Sequence, residues 1–127
     1  MALILDTNAL SALADGDEAL RGTLGGQYDL AVPVIVLGEY LFGIHQSRLR
    51  VRYEEWLDVN LPLFDLLGVG RETARHYAEI RRELKSSGRP LPSNDLWIAA
   101  LAREHHSALV SRDRHFEDVR GLRLVTW

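Results

Sequence analysis

Two short apolar runs that lack alternation constrain the fold of this chain most. Residues 2–5 (ALIL) and 108–110 (ALV) are apolar throughout. A strand with one face in water alternates apolar and polar side chains, whereas a central strand of a parallel sheet is apolar on both faces because helices cover it. The two runs therefore indicate a layered α/β fold.

Short apolar runs alternate along the chain with longer amphipathic stretches. This pattern predicts an α/β fold with a mainly parallel sheet. The sequence contains no internal repeat or linker, so residues 1–127 are expected to form a single domain. The predicted strands are residues 2–5, 30–32, 63–66, 108–110 and 123–126. The predicted helices are residues 9–13, 17–24, 34–46, 51–61, 71–85 and 94–105, with a short turn at 116–119.

Composition narrows the class of protein. The chain has no cysteine, which excludes disulfides, thiolate zinc sites and cysteine nucleophiles. The N-terminus lacks a basic region, so no signal peptide is expected. The longest apolar run, residues 30–44, is too interrupted for a membrane span, which needs roughly 20 apolar residues. We therefore expect a soluble cytoplasmic protein that makes no membrane contact. Its net charge of -3 lacks the basic balance that would signal nucleic-acid binding.

Four carboxylates lie at strand ends or in apolar settings where a purely structural role is hard to explain. Burying an unpaired carboxylate costs several kcal/mol, so proteins pair it, protonate it or bind a metal to it. Ligands of parallel sheets bind outside the carboxyl ends of the strands, so neighbouring strands would bring such acids into one crevice. The set therefore predicts a shared cation and metal-dependent chemistry. Its members are Asp6, Glu39, Asp95 and Asp113.

Helix capping is the structural alternative for two of these acids. Asp6 precedes a predicted helix, but Thr7 or Asn8 would serve equally well as the cap and leave Asp6 spare. Asp95 would suit the dipole of a first helical turn, with the preceding serine or asparagine as the cap.

Ion pairing is the structural alternative for the other two. Glu39 has no basic or polar neighbour one turn away on its helix, although Arg48 or Arg50 would be able to reach it from the next loop. Asp113 has an arginine on each side, which predicts a solvated ion pair worth at most ~1 kcal/mol.

The chemistry of the candidate ligands favours a hard cation. The five histidines show no zinc-binding spacing. Carboxylates with one nearby hydroxyl, that of Ser111, suit Mg²⁺ or Mn²⁺ instead. The sequence also lacks the glycine-rich loops that bind nucleotide cofactors.

Basic side chains form a candidate surface for phosphate groups. Arg71, Arg75, Arg82 and Lys85 fall on one side of a predicted helix, and Arg89 extends them toward Asp95. Arg112 and Arg114 flank Asp113. The alternative interpretation is an ordinary solvated face.

The ordered motifs resemble those of a known family. Asp-Thr-Asn follows the first strand, a Glu lies in an apolar helix, Asn-Asp opens the helix that contains Ile-Ala-Ala, and Ser-x-Asp-x-His-Phe follows the fourth strand. This order resembles the PIN-domain ribonucleases and is most similar to the VapC toxins of type II toxin–antitoxin pairs. The resemblance covers essentially the whole chain, including residues 88–91 and 121–127.

The resemblance implies a fold, a site and partners. The fold would be a three-layer α/β/α PIN domain with a mainly parallel sheet of about five strands. The protein would be an endoribonuclease toxin that hydrolyses phosphodiester bonds of transfer or ribosomal RNA. It would form a homodimer or a complex with a VapB-type antitoxin. The catalytic and Mg²⁺- or Mn²⁺-binding residues would be Asp6, Glu39, Asp95 and Asp113, supported by Ser111, Thr7 and Asn8.

Other function classes fit the sequence less well. A PIN domain that processes or binds RNA without being a toxin is the main alternative. A phosphatase of the haloacid-dehalogenase type needs a second Asp where the chain has Asn8, and a later lysine. A phospho-receiver domain needs paired acids at the first strand and a late lysine, whereas Lys85 is the single lysine of the chain.

Overall fold

The computed structural model describes residues 2–26 and 29–127. Within these ranges the strands are β1 (Leu3–Leu5), β2 (Leu30–Pro33), β3 (Asp65–Leu67), β4 (Ala108–Val110) and β5 (Leu124–Val125). The α-helices are α1 (Thr7–Ala14), α2 (Glu18–Leu24), α3 (Val34–His45), α4 (Arg50–Asn60), α5 (Arg71–Ser86) and α6 (Ser93–Glu104). Two 3₁₀ turns, Leu61–Leu63 and Arg114–Asp118, complete the order. Each predicted element is present, with ends within two residues of the predicted ends.

The strands form one parallel sheet in the order β3-β2-β1-β4-β5. The prediction of a mainly parallel sheet of about five strands is confirmed. β1 lies between β2 and β4, with Leu3 opposite both Leu30 and Ala108. The carboxyl ends of β1 and β4 therefore meet at the same edge of the sheet, which brings the segments after Leu5 and Val110 together.

The helices form layers on the sheet because of the direction in which the chain crosses it. The chain moves one way from β1 to β3, then returns across the sheet to β4 and β5. Right-handed crossovers therefore place α1 to α4 on one face and α5 and α6 on the other. α1 contacts α3 and α4 within the first group, and α5 packs on α6 in the second. In this second pair the rings of Tyr77 and Trp97 stack with centroids 4.1 Å apart.

The core lies between these layers. Ile4, Val32 and Leu109 on the central strands are fully buried, as is Ile98 on α6. Burial on both sides explains why the central strands have no polar alternation. Within the described ranges, no helix combines the length and apolar character that crossing a membrane requires.

The beginning of α6 differs from the sequence-based expectation. A serine or asparagine was expected to cap this helix, but the capping position is Pro92, which makes no side-chain cap hydrogen bond. Ser93 is already the first helical residue, and Asp95 lies in the first turn. Asp95 therefore lies where the helix dipole favours a carboxylate.

Candidate active site

Asp6 joins the end of β1 to the start of α1. Its backbone N–H donates to the Val110 carbonyl of β4 at 3.0 Å, which continues the sheet by one residue. Its carboxylate Oδ1 accepts a hydrogen bond from the Thr7 backbone N–H at 2.8 Å and caps α1. The expectation that Thr7 or Asn8 would cap this helix and leave Asp6 spare was wrong. Asp6 serves as the cap because it is the last extended residue before the helix.

The second oxygen of Asp6 lies in a buried polar network. Oδ2 accepts hydrogen bonds from the Ser111 hydroxyl at 2.6 Å and the Asn8 side-chain amide at 3.3 Å. Asp6 is 5% exposed. Burial raises its pKa, as do the charges of Glu39 and Asp113, while the hydrogen bonds from Ser111 and Thr7 oppose the rise. Asp6 is thus a buried carboxyl whose charged form is stabilised by three donors.

The Asn8 side chain makes hydrogen bonds to the segment that follows β4 and so connects it to the end of β1. Its amide nitrogen lies 3.2 Å from the Ser111 hydroxyl oxygen, and its carbonyl oxygen accepts the Arg112 backbone N–H at 3.1 Å. The Asp113 backbone N–H in turn donates to the Ser111 hydroxyl oxygen at 3.0 Å. These bonds fix the spacing between Asp6 and Asp113, which belong to parts of the chain more than 100 residues apart.

Glu39 is held by Thr7. Glu39 lies half-buried on α3, and its Oε1 accepts the Thr7 hydroxyl at 2.8 Å. Thr7 was expected to support the acids, and its hydroxyl orients Glu39. The alternative of an arginine partner was wrong for the described part of the chain: Arg50 pairs with Glu54 at 2.6 Å, and Arg48 makes no ion pair there. Glu39 therefore has a hydroxyl donor but no cation within these ranges.

The pKa of Asp95 is raised by burial and by electrostatic repulsion from the other three acids. It is half-buried, and its carboxylate has no hydrogen-bond donor among the described residues. Burial, the largest cause, and the charges of Asp6, Asp113 and Glu39 together raise the pKa of Asp95 to about 6, while His115 opposes the rise. Mutual repulsion of this kind requires the acids to lie close together. The structure thus brings the predicted four to one edge of the sheet.

Asp113 is paired with a histidine. Its Oδ1 accepts the backbone N–H of His115 at 3.0 Å, and lies 3.0 Å from the His115 Nδ1. The alternative of an ion pair with the flanking arginines was wrong for the described part of the chain, since both arginines make other contacts. The guanidinium of Arg112 lies 4.6 Å above the ring centre of Trp127, and Arg114 pairs with Glu117. His115, which carried no zinc-binding spacing, is therefore the residue that sequence reasoning missed beside this acid.

The basic surface is partly neutralised within the protein. Arg75 pairs with both Glu72 and Glu79 at 2.9 Å, so it adds little free positive charge to the predicted stripe. Arg89 lies 3.1 Å from Asp118. Arg82 and Lys85 are exposed and make no ion pair among the described residues. Arg71 and Arg81 are also exposed and make no ion pair there, although Arg81 donates to the Tyr77 hydroxyl at 2.9 Å. These four side chains of α5 remain available to phosphate groups.

The donor chemistry of the site fits a hard divalent cation. The ligands on offer are carboxylate oxygens, which Mg²⁺ and Mn²⁺ prefer. A bound cation would lower the unfavourable electrostatic energy of their mutual repulsion. Across residues 2–26 and 29–127, however, no group of three or more acidic or histidine side chains is already arranged as a metal site. Any binding of a cation would therefore include side-chain rotation.

A cavity of about 290 Å³ adjoins the acids on the α1 side. Thr7 and Glu39 line it together with Tyr40, Asp15 and Tyr53. Tyr40, Asp15 and Tyr53 had no predicted role. The available signal was Tyr40, a polar side chain in an otherwise apolar part of α3.

Comparison with known proteins agrees with this geometry. The sequence profile of the PIN domain matches residues 3–122. The tRNA(fMet)-specific endonuclease VapC of Shigella flexneri is 28% identical over 127 residues, which cover 98% of this chain and 96% of that protein. Ribonuclease VapC2 of Haemophilus influenzae is 31% identical over 99 residues, covering 77% of this chain and 75% of that protein.

A solved structure shows the same fold. The crystal structure of VapBC2 from Rickettsia felis, bound to a DNA fragment from its promoter, contains a chain 25% identical to this one. The two superpose with a TM-score of 0.88 over 100% of this chain and 99% of that chain. Because the profile spans nearly the whole sequence and the sheet and helices superpose throughout, this chain belongs to the PIN-domain family, among its VapC members.

Proposed function

We propose that this protein is a Mg²⁺- or Mn²⁺-dependent endoribonuclease that acts as the toxin of a toxin–antitoxin pair. The observation that carries the proposal is the electrostatic coupling of four carboxylates at the carboxyl edge of a PIN-type sheet. The VapC relatives named as ribonucleases support the activity. No arginine or lysine pairs with any of the four in the described ranges, so a bound cation would offset their negative charge.

The position of each acid indicates its role in binding the cation. Asp6 is buried and fixed by three donors, so it would serve as the rigid central ligand. Asp95, Asp113 and Glu39 would complete the oxygen set. When bound, the divalent cation supplies a Lewis acid that makes water a better nucleophile and offsets charge on the phosphate. The chain would then need no protein nucleophile.

Histidine and arginine side chains would assist at the edge of the site. His115 lies against Asp113, and Arg112 lies over the Trp127 ring and 3.8 Å from the Asp17 carboxylate. Both would donate to an approaching phosphodiester after leaving these acids. Arg82 and Lys85 would contact the RNA backbone farther out, and Arg89 and Arg114 would do so after leaving their present ion pairs. Transfer RNA is the proposed substrate class, since one VapC relative is specific for a transfer RNA; ribosomal RNA is the second candidate.

A VapB-type antitoxin is the proposed protein partner, supported by the similarity to a VapBC complex. We also propose a homodimer. Among the described residues, Phe42, Val59 and Leu63 are about 70% exposed, and apolar surface of this kind commonly marks protein contacts. Light scattering of the purified chain at several concentrations tests this part, and a monomer at all of them would contradict it.

Cleavage of RNA by the antitoxin-free protein tests the central proposal. Total RNA and a transfer RNA pool would be incubated with Mn²⁺, Mg²⁺ or EDTA, and the fragment ends mapped. Discrete metal-dependent fragments are expected. Asp6→Asn retains a capping oxygen for α1 but loses the charge and the oxygen that accepts from Ser111 and Asn8, so circular dichroism would check its fold. It should cut at least 100-fold more slowly, on the order of the effect of removing a group central to transition-state stabilisation. Asp58→Asn, an exposed change on α4, is the matched control.

Induced expression in cells distinguishes a toxin from an RNA-processing nuclease that is not a toxin. A toxin arrests growth, and Asp6→Asn restores it. If cells grow normally while they express active wild-type protein, the nuclease activity stands and the toxin role is refuted. Cleavage undiminished in Asp6→Asn would refute the assigned site.

A further inference from the structure

The cavity beside Glu39 has a lining that the cleavage chemistry does not use. α1, α3 and α4 enclose it, and Thr7 and Glu39 connect it to the acid site. At about 290 Å³ it is at the small end of the range for ligand pockets, roughly 300–1,000 Å³. Among the described residues, no arginine, lysine or histidine lines it. The cavity therefore does not suit a phosphate group, although it lies next to the place where the proposed function puts one.

Tyr40 lines this cavity, and its hydroxyl oxygen is buried in the wall. The residue is 4% exposed, and its hydroxyl has no hydrogen-bond partner among the described residues. A buried hydroxyl without a partner destabilises the folded state, and phenylalanine would fill the same space without that cost. A tyrosine hydroxyl is protonated at neutral pH and is therefore a donor. A ligand with an acceptor atom would satisfy it once the Tyr40 side chain rotates toward the cavity.

Asp15 contributes an acceptor that stability does not explain. It is exposed at the carboxyl end of α1, where the helix dipole disfavours negative charge. Its Oδ1 accepts the Tyr53 hydroxyl at 2.7 Å, which fixes the carboxylate at the cavity. The other oxygen has no donor within the described residues, and no cation pairs with Asp15 there. An ionised carboxylate can accept about four hydrogen bonds, so both oxygens retain capacity.

One RNA base matches this arrangement of a fixed carboxylate near a hydroxyl donor. Guanine carries two adjacent donors, N1–H and the N2 amine, which match the two oxygens of a carboxylate, and O6 beside them is an acceptor for a hydroxyl. Adenine, cytosine and uracil each place an acceptor next to their Watson–Crick donor, so a carboxylate would meet one of them with repulsion. Proteins read unpaired RNA bases through such edge contacts.

We propose that the cavity lined by Asp15, Tyr40 and Tyr53 binds the guanine base of a nucleotide next to the scissile phosphate. Asp15 accepts the two guanine donors, and the Tyr40 hydroxyl donates to O6. The proposal rests on the proposed ribonuclease function and adds a base preference to it. Continuity with Glu39 favours an RNA base over the cationic side chain of a partner protein, because the phosphate at the acids positions its own flanking base at this opening.

The test uses single-stranded oligonucleotides that carry a mapped cleavage site, with the flanking guanosine or with inosine, which lacks the N2 amine. We expect inosine to lower kcat/KM by about 5- to 150-fold, the range of one bidentate base contact. Asp15→Asn should lower kcat/KM by a similar factor on guanosine and cause little further loss on inosine. Tyr40→Phe should slow guanosine cleavage while it raises the melting temperature. Asp58→Asn is the control and should retain the guanosine preference.

The outcomes separate the two proposals. If no Asp6-dependent cleavage occurs, the ribonuclease function fails and this inference fails with it. If Asp6-dependent cleavage is equally fast on guanosine and inosine, or if the losses from Asp15→Asn and inosine multiply independently, the base pocket is refuted while the function remains. Weakened antitoxin binding by Asp15→Asn with unchanged cleavage would also refute it and assign the cavity to the partner protein.

Discussion

The Ser111 hydroxyl donates to Asp6 Oδ2 at 2.6 Å and accepts the Asp113 backbone N–H at 3.0 Å. One fully buried hydroxyl thus connects the acid after β1 with the acid after β4. The connection depends on β1 and β4 being neighbours in the sheet, and it makes Ser111 a positioning residue for two of the four carboxylates.

Ser111→Ala should destabilise the protein and raise the pKa of Asp6 further. The hydrogen bond that it removes is to a charged group, so the free energy of unfolding should fall by about 1.5–3 kcal/mol in urea titrations at pH 7. Ser107→Ala is the matched control: this buried serine at the opposite end of β4 donates to a backbone carbonyl and should cost about 0.5–1.5 kcal/mol. In a plot of cleavage rate against pH, the acidic limb should move to higher pH in Ser111→Ala but not in Ser107→Ala. Equal effects of the two variants on this limb would contradict the positioning role.

Thr7→Val should weaken metal binding without unfolding the site. Valine keeps the shape of threonine but removes the hydroxyl that orients Glu39, while the backbone N–H of residue 7 still caps α1 through Asp6. Removing a hydrogen bond that orients a metal ligand typically lowers metal affinity by about 10- to 100-fold. Calorimetric titration with Mn²⁺ measures the change, and Thr23→Val on α2 is the control. Unchanged affinity would show that the Thr7 hydroxyl does not support a metal-binding Glu39.

Asp95→Asn should stabilise the metal-free protein near neutral pH. The folded-state pKa of Asp95, about 6, lies above its ordinary value of 3.8, so the folded state is penalised when this carboxyl is ionised. The penalty is full above pH 6 and disappears as the pH falls toward 4. Because Asp95 is half-exposed, solvent screening reduces the expected effect to the order of 1 kcal/mol. The difference in unfolding free energy between Asp95→Asn and wild type, measured in EDTA from pH 4 to 8, should therefore increase with pH. A difference that is constant or falls with pH would contradict this account.

Arg82→Ala and Lys85→Ala should weaken RNA binding in a salt-dependent way. If each side chain neutralises one phosphate, its removal should reduce the slope of log affinity against log salt by about 0.7 for a single strand. Binding would be measured with Asp6→Asn protein, so that the RNA stays intact. Arg123→Ala is the control, because Arg123 is exposed just before β5, at the opposite edge of the sheet from the acids. An unchanged slope in both α5 variants would place the RNA elsewhere.

Local sequence patterns determined the elements of this fold. Apolar runs without alternation identified β1 and β4, and helical periodicity identified α5, because both patterns are set by which side chains meet the core. The four acids were also identifiable from sequence alone, since each is a charged residue in a segment that is otherwise apolar or at a strand end.

The partner of each side chain was decided by the tertiary structure. Asp6 proved to be the cap of α1, Glu39 proved to be held by Thr7, and Asp113 by His115 rather than an arginine. Such pairings depend on distances set by strand order and helix packing, which the alternation of elements does not encode.

The sequence by itself determined an α/β chain with four carboxylates in the order of a PIN domain. Only the tertiary structure decided that β4 lies beside β1, which brings Asp6 and Asp113 to one edge, and that Tyr40 and Asp15 line one cavity. The physical reason is that propensity and burial act on each segment separately, whereas mutual repulsion of carboxylates and an unsatisfied hydroxyl arise from contacts between segments that are distant in the chain.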